Sequence, residues 1–332
     1  MSRDRTTGYR IGVDIGGTFT DIVALRADGA LFSKKVLSTP DDYSRGIEEG
    51  LRDLFIEAAI PASQVVEFVH GTTVATNTII ERKGARAALL TTKGFRDVLE
   101  LGRFRSPRLY DLSFRRPPPL VDRGLRYEVP ERIGGQGELV EPVDLAALDR
   151  IALQLIDRGV GTVALCFLNA YINPENELAA LEHLKLRLPA DVTVSTSSQL
   201  LPQIQEYERT STTVVNAYIR PIVEHYVSSL ERRLRALGIT APLMIMQSSG
   251  GILPGPLAGE NPVYIIESGP AAGVVGAQRL SAKHGFGDLM VLDVGGTTAK
   301  ASIIQDNRFA IMPECEVGGD ALLGHRLLPG AG

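Results

Sequence analysis

Tryptophan is absent from the 332 residues, and aromatic residues of all kinds make up only 6%. With a net charge of −4, the chain offers neither a basic surface nor stacking platforms, which excludes nucleic acid as the expected partner. Cysteine occurs twice, at Cys166 and Cys315, too sparsely for a disulfide framework. Cys166 lies in the apolar run TVALCFLNA and reads as a small buried hydrophobe. No apolar run reaches the roughly 18 residues of a membrane span, and the start, MSRDRTTGYR, lacks the apolar centre of a signal peptide. A reducing, cytoplasmic setting without membrane contact is the expectation. The phosphate-loop pattern GxxxxGK[ST] is also missing.

What is present is a soluble, globular composition, long enough for two ordinary domains. Strands are expected at 10–14, 19–25 and 31–37, joined by glycine turns. A helix at 43–59 carries Ile47, Leu51, Leu54 and Ala58 at helical spacing. A strand at 65–70, a helix at 73–83 and a strand at 86–91 follow. Three hairpin-linked strands and then alternation indicate a mixed α/β sheet. The stretch 95–143, rich in arginine and proline, breaks the rhythm and reads as an inserted arm. Alternation resumes with a helix at 144–157, capped by Asp144 and stopped by Gly159, a strand at 162–168, a helix opening at Asn173-Pro174 and a strand at 192–195. A long helix is expected over 203–237, kinked or split at Pro221. LMIMQ is expected as a strand leading to SSGG at 248–251, and YII of YIIESGPAAGVVGA as a strand end before a helix of small residues.

The most informative feature is repeated. IGVDIGGTFTDIVAL (11–25) and MVLDVGGTTAKASII (290–304) are both hairpins with Asp, two Gly and Thr at the turn. Glycine admits positive φ and lets backbone N–H groups approach a ligand. Threonine adds hydroxyl donors, and an aspartate at the strand end suits Mg²⁺. A dinucleotide fingerprint does not fit, because a strand rather than a helix follows Gly16-Gly17. Two copies of one turn point to a phosphate chain gripped from two sides.

Paired hairpins of this type resemble those of the actin-like ATPase superfamily, in which two ribonuclease H-like lobes hold ATP between them. ESGPAAGVVGA resembles the helix that crosses between the lobes there. Further stretches are similar to the hydantoinase/oxoprolinase family, A-type subunit: VHGTTVATNTIIERKGARAALLTTKGFRDVLELGR (69–103), RLYDLSFRRPPPLVDRGLRYEVPER, MQSSGGI and ESGPAAGVVGA. The resemblance implies an α/β, actin-like fold. It places a first ribonuclease H-like lobe at 9–199 with its arm at 95–143, a helical connector and crossing helix at 200–287, and a second lobe beginning at 288–332. A lobe starting near Leu289 needs on the order of 100 or more residues, so the second lobe is expected to be incomplete.

The resemblance also implies an activity: an ATP-dependent hydrolase subunit that opens a hydantoin- or 5-oxoproline-like ring by phosphorylating its carbonyl oxygen. Its cofactors are ATP and Mg²⁺, and its partner in a hetero-oligomer is a B-type hydantoinase subunit. Three other readings stay open: the ATP-using subunit of an acetone- or acetophenone-type carboxylase, a non-enzymatic ATPase switch, and a truncated, inactive fragment. The expected metal ligands are Asp14 and Asp293, with His70 as a third catalytic candidate. Phosphate contacts are expected from Gly16, Gly17, Thr18, Gly295, Gly296, Thr297 and Thr298; Thr20 is expected among the cofactor-binding residues, and Asp21 is expected to face the same cleft and orient the metal shell. His70-Gly71-Thr72-Thr73, at a strand-to-helix junction, is read either as an anion site formed by Gly71, Thr72 and Thr73 or as a helix cap with His70 hydrogen-bonded nearby. Arg103, Arg105, Arg108, Arg115 and Arg116 read as a solvated basic loop or, alternatively, as a lid or partner-docking surface over the cleft. Lys300 replaces an Asp common in related hairpins, so its role, phosphate contact or outward strand residue, is open.

Overall fold

The computed structural model describes residues 8–103, 118–294 and 299–311, and the backbone of short strands at 314–316 and 327–329. Two compact units emerge, and the chain visits the first of them twice. It leaves at Asn77, builds the second unit from Thr78 to Ile222, and returns at Val223.

The chain opens with β1 (Tyr9–Ile15), β2 (Phe19–Arg26) and β3 (Leu31–Leu37), then α1 (Tyr43–Glu57), β4 (Val65–Thr72) and α2 (Val74–Ile80). In β1, buried and exposed positions alternate strictly, the mark of a strand covered differently on its two faces. Tyr9, Ile11, Val13 and Ile15 point inward, which turns Gly12 and Asp14 the other way. Asp42 starts α1 by accepting from the Ser44 N–H at 3.1 Å.

The second unit contains β5 (Ala87–Thr92), α3 (Val98–Leu101), β6 (Arg126–Val129), β7 (Arg132–Ile133), β8 (Leu139–Glu141), α4 (Leu145–Asp157), β9 (Thr162–Cys166), α5 (Glu175–Arg187), β10 (Thr193–Thr196) and α6 (Ser197–Leu200). Its sheet has the order β10-β9-β5-β6, with all neighbours parallel. Every residue of β5 and β9 is buried, as expected when a parallel sheet is covered on both faces. Part of the expected arm thus belongs to this sheet as β6. Its tip, 104–117, with Arg105, Arg108, Arg115 and Arg116, lies outside the described residues. Asp144 caps α4 through the Ala147 N–H at 2.9 Å, as expected. Cys166 is buried, with Sγ 3.1 Å from Thr210 Oγ1.

α7 (Glu206–Ala236) runs through Pro221 without a break, so the helix is not split there. Proline cannot donate to the carbonyl one turn back, and the division between the units falls just after it. Back in the first unit come β11 (Leu243–Met246), β12 (Ile252–Pro254), α8 (Gly255–Glu260), α9 (Ser268–His284), β13 (Leu289–Val294), β14 (Ala299–Gln305) and β15 (Arg308–Phe309). The expected strand end at YII is instead a 3₁₀ turn, Pro262–Ile265. β16 (Glu314–Glu316) and β17 (Leu327–Pro329) pair antiparallel.

The large sheet of the first unit has the order β12-β11-β4-β1-β2-β3. β1, β2 and β3 are antiparallel neighbours, whereas β4 and β11 join in parallel. It is the mixed sheet expected, but β11 is supplied only after the chain has built the other unit. α1 packs against β2 and β3, and Arg233 of α7 ties down α1 through Asp42 at 2.7 Å and Glu48 at 2.5 Å. A separate three-stranded sheet, β13-β14-β15, leaves Met290, Leu292, Val294 and Ile303 exposed.

Candidate functional site

The two hairpins share one register. Asp14 stands opposite Asp21 and Ile15 opposite Thr20; Asp293 stands opposite Lys300 and Val294 opposite Ala299. Residues Gly295, Gly296, Thr297 and Thr298 lie outside the described residues. In the first hairpin, the Gly16 N–H donates to the Phe19 carbonyl at 2.9 Å. Neither Gly16 nor Gly17 adopts positive φ. Gly16 is needed for room instead, since a Cβ there would meet the Phe19 carbonyl oxygen at 3.2 Å. Ser38 fastens the turn: its hydroxyl donates to the Gly16 carbonyl at 2.8 Å and its N–H to the Thr18 carbonyl at 2.9 Å. Thr20 is buried, 3.1 Å from the Ser38 hydroxyl, so its side chain supports the turn rather than facing a ligand. Gly17 and Thr18 are exposed.

Asp14 is the centre of the site. Its parallel partner across β4 is Gly71. A Cβ on Gly71 would lie 3.0 Å from Asp14 Oδ1, and one on Gly269 in the first turn of α9 would lie 3.1 Å from the same oxygen. Two bare glycines thus keep space beside one carboxylate oxygen. The Asp14 side chain opens to solvent but is crowded at its flanks. That crowding, then the negative charges of Asp293 and Asp21, opposed by Lys35, raises its pKa to about 6. The negative charge of the second hairpin's aspartate is thus felt at Asp14. Asp21 is held by Lys35 at 2.6 and 2.7 Å, an exposed pair worth little to stability.

His70 turns away from this face. The β4 alternation places it beside Val13, fully buried. Its Nδ1 lies 3.1 Å from the Val13 carbonyl and its Nε2 2.6 Å from the Tyr226 hydroxyl. A carbonyl only accepts, so Nδ1 carries the proton and Nε2 accepts from Tyr226. Burial pushes the His70 pKa down to about 4, and the ring is neutral at pH 7. His70 is a buried strut and does not join Asp14.

The threonines after it also build structure. Thr72 Oγ1 accepts from the Val74 N–H at 3.2 Å, and Thr73 Oγ1 donates to the Ile15 carbonyl at 3.1 Å. The buried Ser268 hydroxyl, at the start of α9, accepts from the Thr72 N–H at 3.1 Å and donates to the Thr72 carbonyl at 3.0 Å. Of the tetrapeptide, Gly71 is the residue that touches the Asp14 face.

The carboxylates of Asp14 and Asp293 are hard oxygen donors, the type Mg²⁺ prefers, and Mg²⁺ keeps several waters when few protein ligands are offered. The donor set and the glycine-cleared space fit such an ion beside a phosphate chain. The family model for the hydantoinase/oxoprolinase N-terminal region matches residues 10–187, and the hydantoinase/oxoprolinase model matches residues 209–328. The chain belongs to the hydantoinase/oxoprolinase family.

Its relatives include an uncharacterized protein of Methanocaldococcus jannaschii, 41% identical over 98% of this chain and 48% of that protein. The alpha subunit of caprolactamase from Pseudomonas jessenii is 34% identical over 90% of this chain and 44% of its own. The crystal structure of that ATP-dependent caprolactamase superposes with a TM-score of 0.80 at 33% identity, over 89% of this chain and 43% of that one. Nucleotide-free acetone carboxylase superposes with a TM-score of 0.87 at 24% identity, over 97% and 47%. The fold is that of the actin-like ATPases. The hydantoinase/oxoprolinase chain described here spans about half the length of these relatives.

Sequence reasoning missed Ser38, Ser268, Gly269 and Tyr226. A lone serine after a strand carries no signal. The ESG of ESGPAAG marked a helix start, but only the folded chain brings it to Asp14.

Proposed function

We propose that this chain is the nucleotide-handling part of an ATP-dependent enzyme that opens a cyclic amide. The observation that carries the reading is the pair of hairpins in one register, with Asp14 and Asp293 at matching places and the charge of Asp293 felt at Asp14. Asp14 and Asp293 hold Mg²⁺ or its waters, and Gly16, Gly17 and Thr18 line the phosphates. ATP, when bound, supplies a phosphoryl group for the amide oxygen. An amide resists water because its C–N bond is resonance-stabilised, with a rotation barrier of ~18–20 kcal/mol. Phosphorylating the oxygen cancels that resonance. Water then adds to the carbon, the ring C–N bond breaks with the nitrogen taking the proton, and a second water hydrolyses the resulting acyl phosphate to carboxylate and phosphate. Such a transfer needs positioning and charge neutralisation rather than covalent help, which suits a site built of backbone and two carboxylates. The lactam named for the caprolactamase relative supports a cyclic amide as substrate. The B-type subunit of a hetero-oligomer is the proposed partner.

The test is phosphate release from Mg·ATP by the protein with its B-type partner. The panel holds hydantoin, N-methylhydantoin, 5-oxoproline, caprolactam, acetone or acetophenone with bicarbonate, and an unfolded peptide. Stimulation by one cyclic amide is expected. Stimulation only by a ketone with bicarbonate would replace the reading with a carboxylase, and stimulation only by peptide with a nucleotide switch.

Gly269→Ala tests the space beside Asp14. The new methyl would stand 3.1 Å from Oδ1, while alanine favours the helix by up to about 1 kcal/mol. Mg·ATP affinity is expected to fall about tenfold with no loss of melting temperature, measured by fluorescent-nucleotide titration and a thermal melt. Unchanged affinity would show that this oxygen is not used.

A further inference from the structure

Lys300 occupies, in the second hairpin, the position Asp21 holds in the first. It forms an ion pair with Glu267, both side chains being more than two-thirds buried. Glu267 is unusual in its own right. It precedes α9 with φ +64, a left-handed conformation that crowds the Cβ of a non-glycine residue against its own backbone. Its N–H is fixed by the Thr76 hydroxyl of α2 at 3.1 Å. The next residue, Ser268, clamps both backbone groups of Thr72. The one after that, Gly269, packs on the Asp14 carboxylate. Three consecutive residues thus reach β14, the end of β4 and the metal-ligand candidate of β1.

We propose that the Glu267–Lys300 pair is the positioning contact that sets the second hairpin, and with it Asp293, against Asp14. Lys300 in this account is a tether and not a phosphate ligand. Its ammonium neutralises Glu267 beside a cluster that already holds Asp14, Asp21 and Asp293, so a further free carboxylate there would oppose a phosphate chain. The strained Glu267 turn is what one expects where surrounding contacts over-determine the backbone. The proposal rests on the nucleotide reading for its functional consequence, but the contact itself is independent of it.

The experiment compares wild type, Glu267→Gln, Lys300→Met and the charge swap Glu267→Lys with Lys300→Glu. Mg·ATP affinity is measured by fluorescent-nucleotide titration, and amide hydrogen exchange is followed at Glu267 and Thr72 without nucleotide. Each single variant is expected to weaken Mg·ATP binding at least tenfold and to speed exchange at both amides; the swap should restore affinity to within about threefold and restore protection. If Lys300 instead holds phosphate directly, Glu267→Gln will bind as tightly as wild type or more so and the swap will not recover binding, which overturns the proposal. If wild type binds no nucleotide, the reading of the site as a nucleotide site fails, and the exchange data alone decide the tether: protection unchanged in the single variants overturns it, and loss with recovery in the swap upholds it.

Discussion

Asp14→Asn is expected to cut nucleotide turnover about 10²–10³-fold and at the same time to make the protein slightly more stable. The turnover loss follows from the role of the carboxylate. The amide that replaces it keeps the shape but not the charge, and removing one such electrostatic group costs about 10²–10³-fold in kcat. The stability gain follows from the raised pKa, about 6 in the folded chain against 3.8 for the free side chain. A carboxyl whose pKa is raised by folding binds its proton more tightly when folded. Its ionisation therefore lowers stability as pH rises between those two values. The penalty is absent below about pH 4 and complete above about pH 6. Because Asp14 opens to solvent, screening limits it to about 1 kcal/mol. Thermal melts of wild type and variant from pH 4 to 8, with phosphate release at pH 7.5, check both halves. Undiminished turnover would remove Asp14 from the metal site, and a melting temperature below wild type would contradict the crowding described here.

The second large effect belongs to His70. Its pKa falls from 6.5 to about 4 on burial, so the unfolded chain binds the extra proton between those values and the folded chain does not. The contribution is fully present above pH 6.5 and is lost as pH falls towards 4, by an amount on the order of 3 kcal/mol. His70→Phe removes this titration and takes away the ring nitrogens bonded to the Val13 carbonyl and to the Tyr226 hydroxyl, which burial already holds in its protonated form. The variant should be destabilised by about 2–4 kcal/mol at pH 7.5, with a flatter decline between pH 6.5 and 4. Urea unfolding at several pH values measures both. Equal pH slopes in the two proteins would show that His70 titrates normally.

Much of the local structure was legible. The alternation of YRIGVDI and the capping aspartate of α4 follow from rules that act over a few residues. So does the shared register of the hairpins. A turn of fixed length between two apolar strands sets which residues face each other, and DIGGTFTD and DVGGTTAK have turns of equal length. The role of His70-Gly71-Thr72-Thr73 was not legible in the same way. Either face of β4 could have turned towards Asp14, and which one did depended on the strand beside it.

Determined by the sequence alone were the two aspartate-glycine hairpins, their matching geometry, and the mixed α/β character that their flanking strands impose. These depend on contacts between near neighbours, where side-chain period and turn chemistry leave few alternatives. The tertiary structure decided that β11, far along the chain, completes the first sheet. It also decided that His70 is a buried strut while Gly71 faces Asp14, and that Glu267, Ser268 and Gly269 link the second hairpin to the first. Those outcomes depend on which distant segments share one core, and pairings between residues some two hundred positions apart leave no periodic trace along the chain.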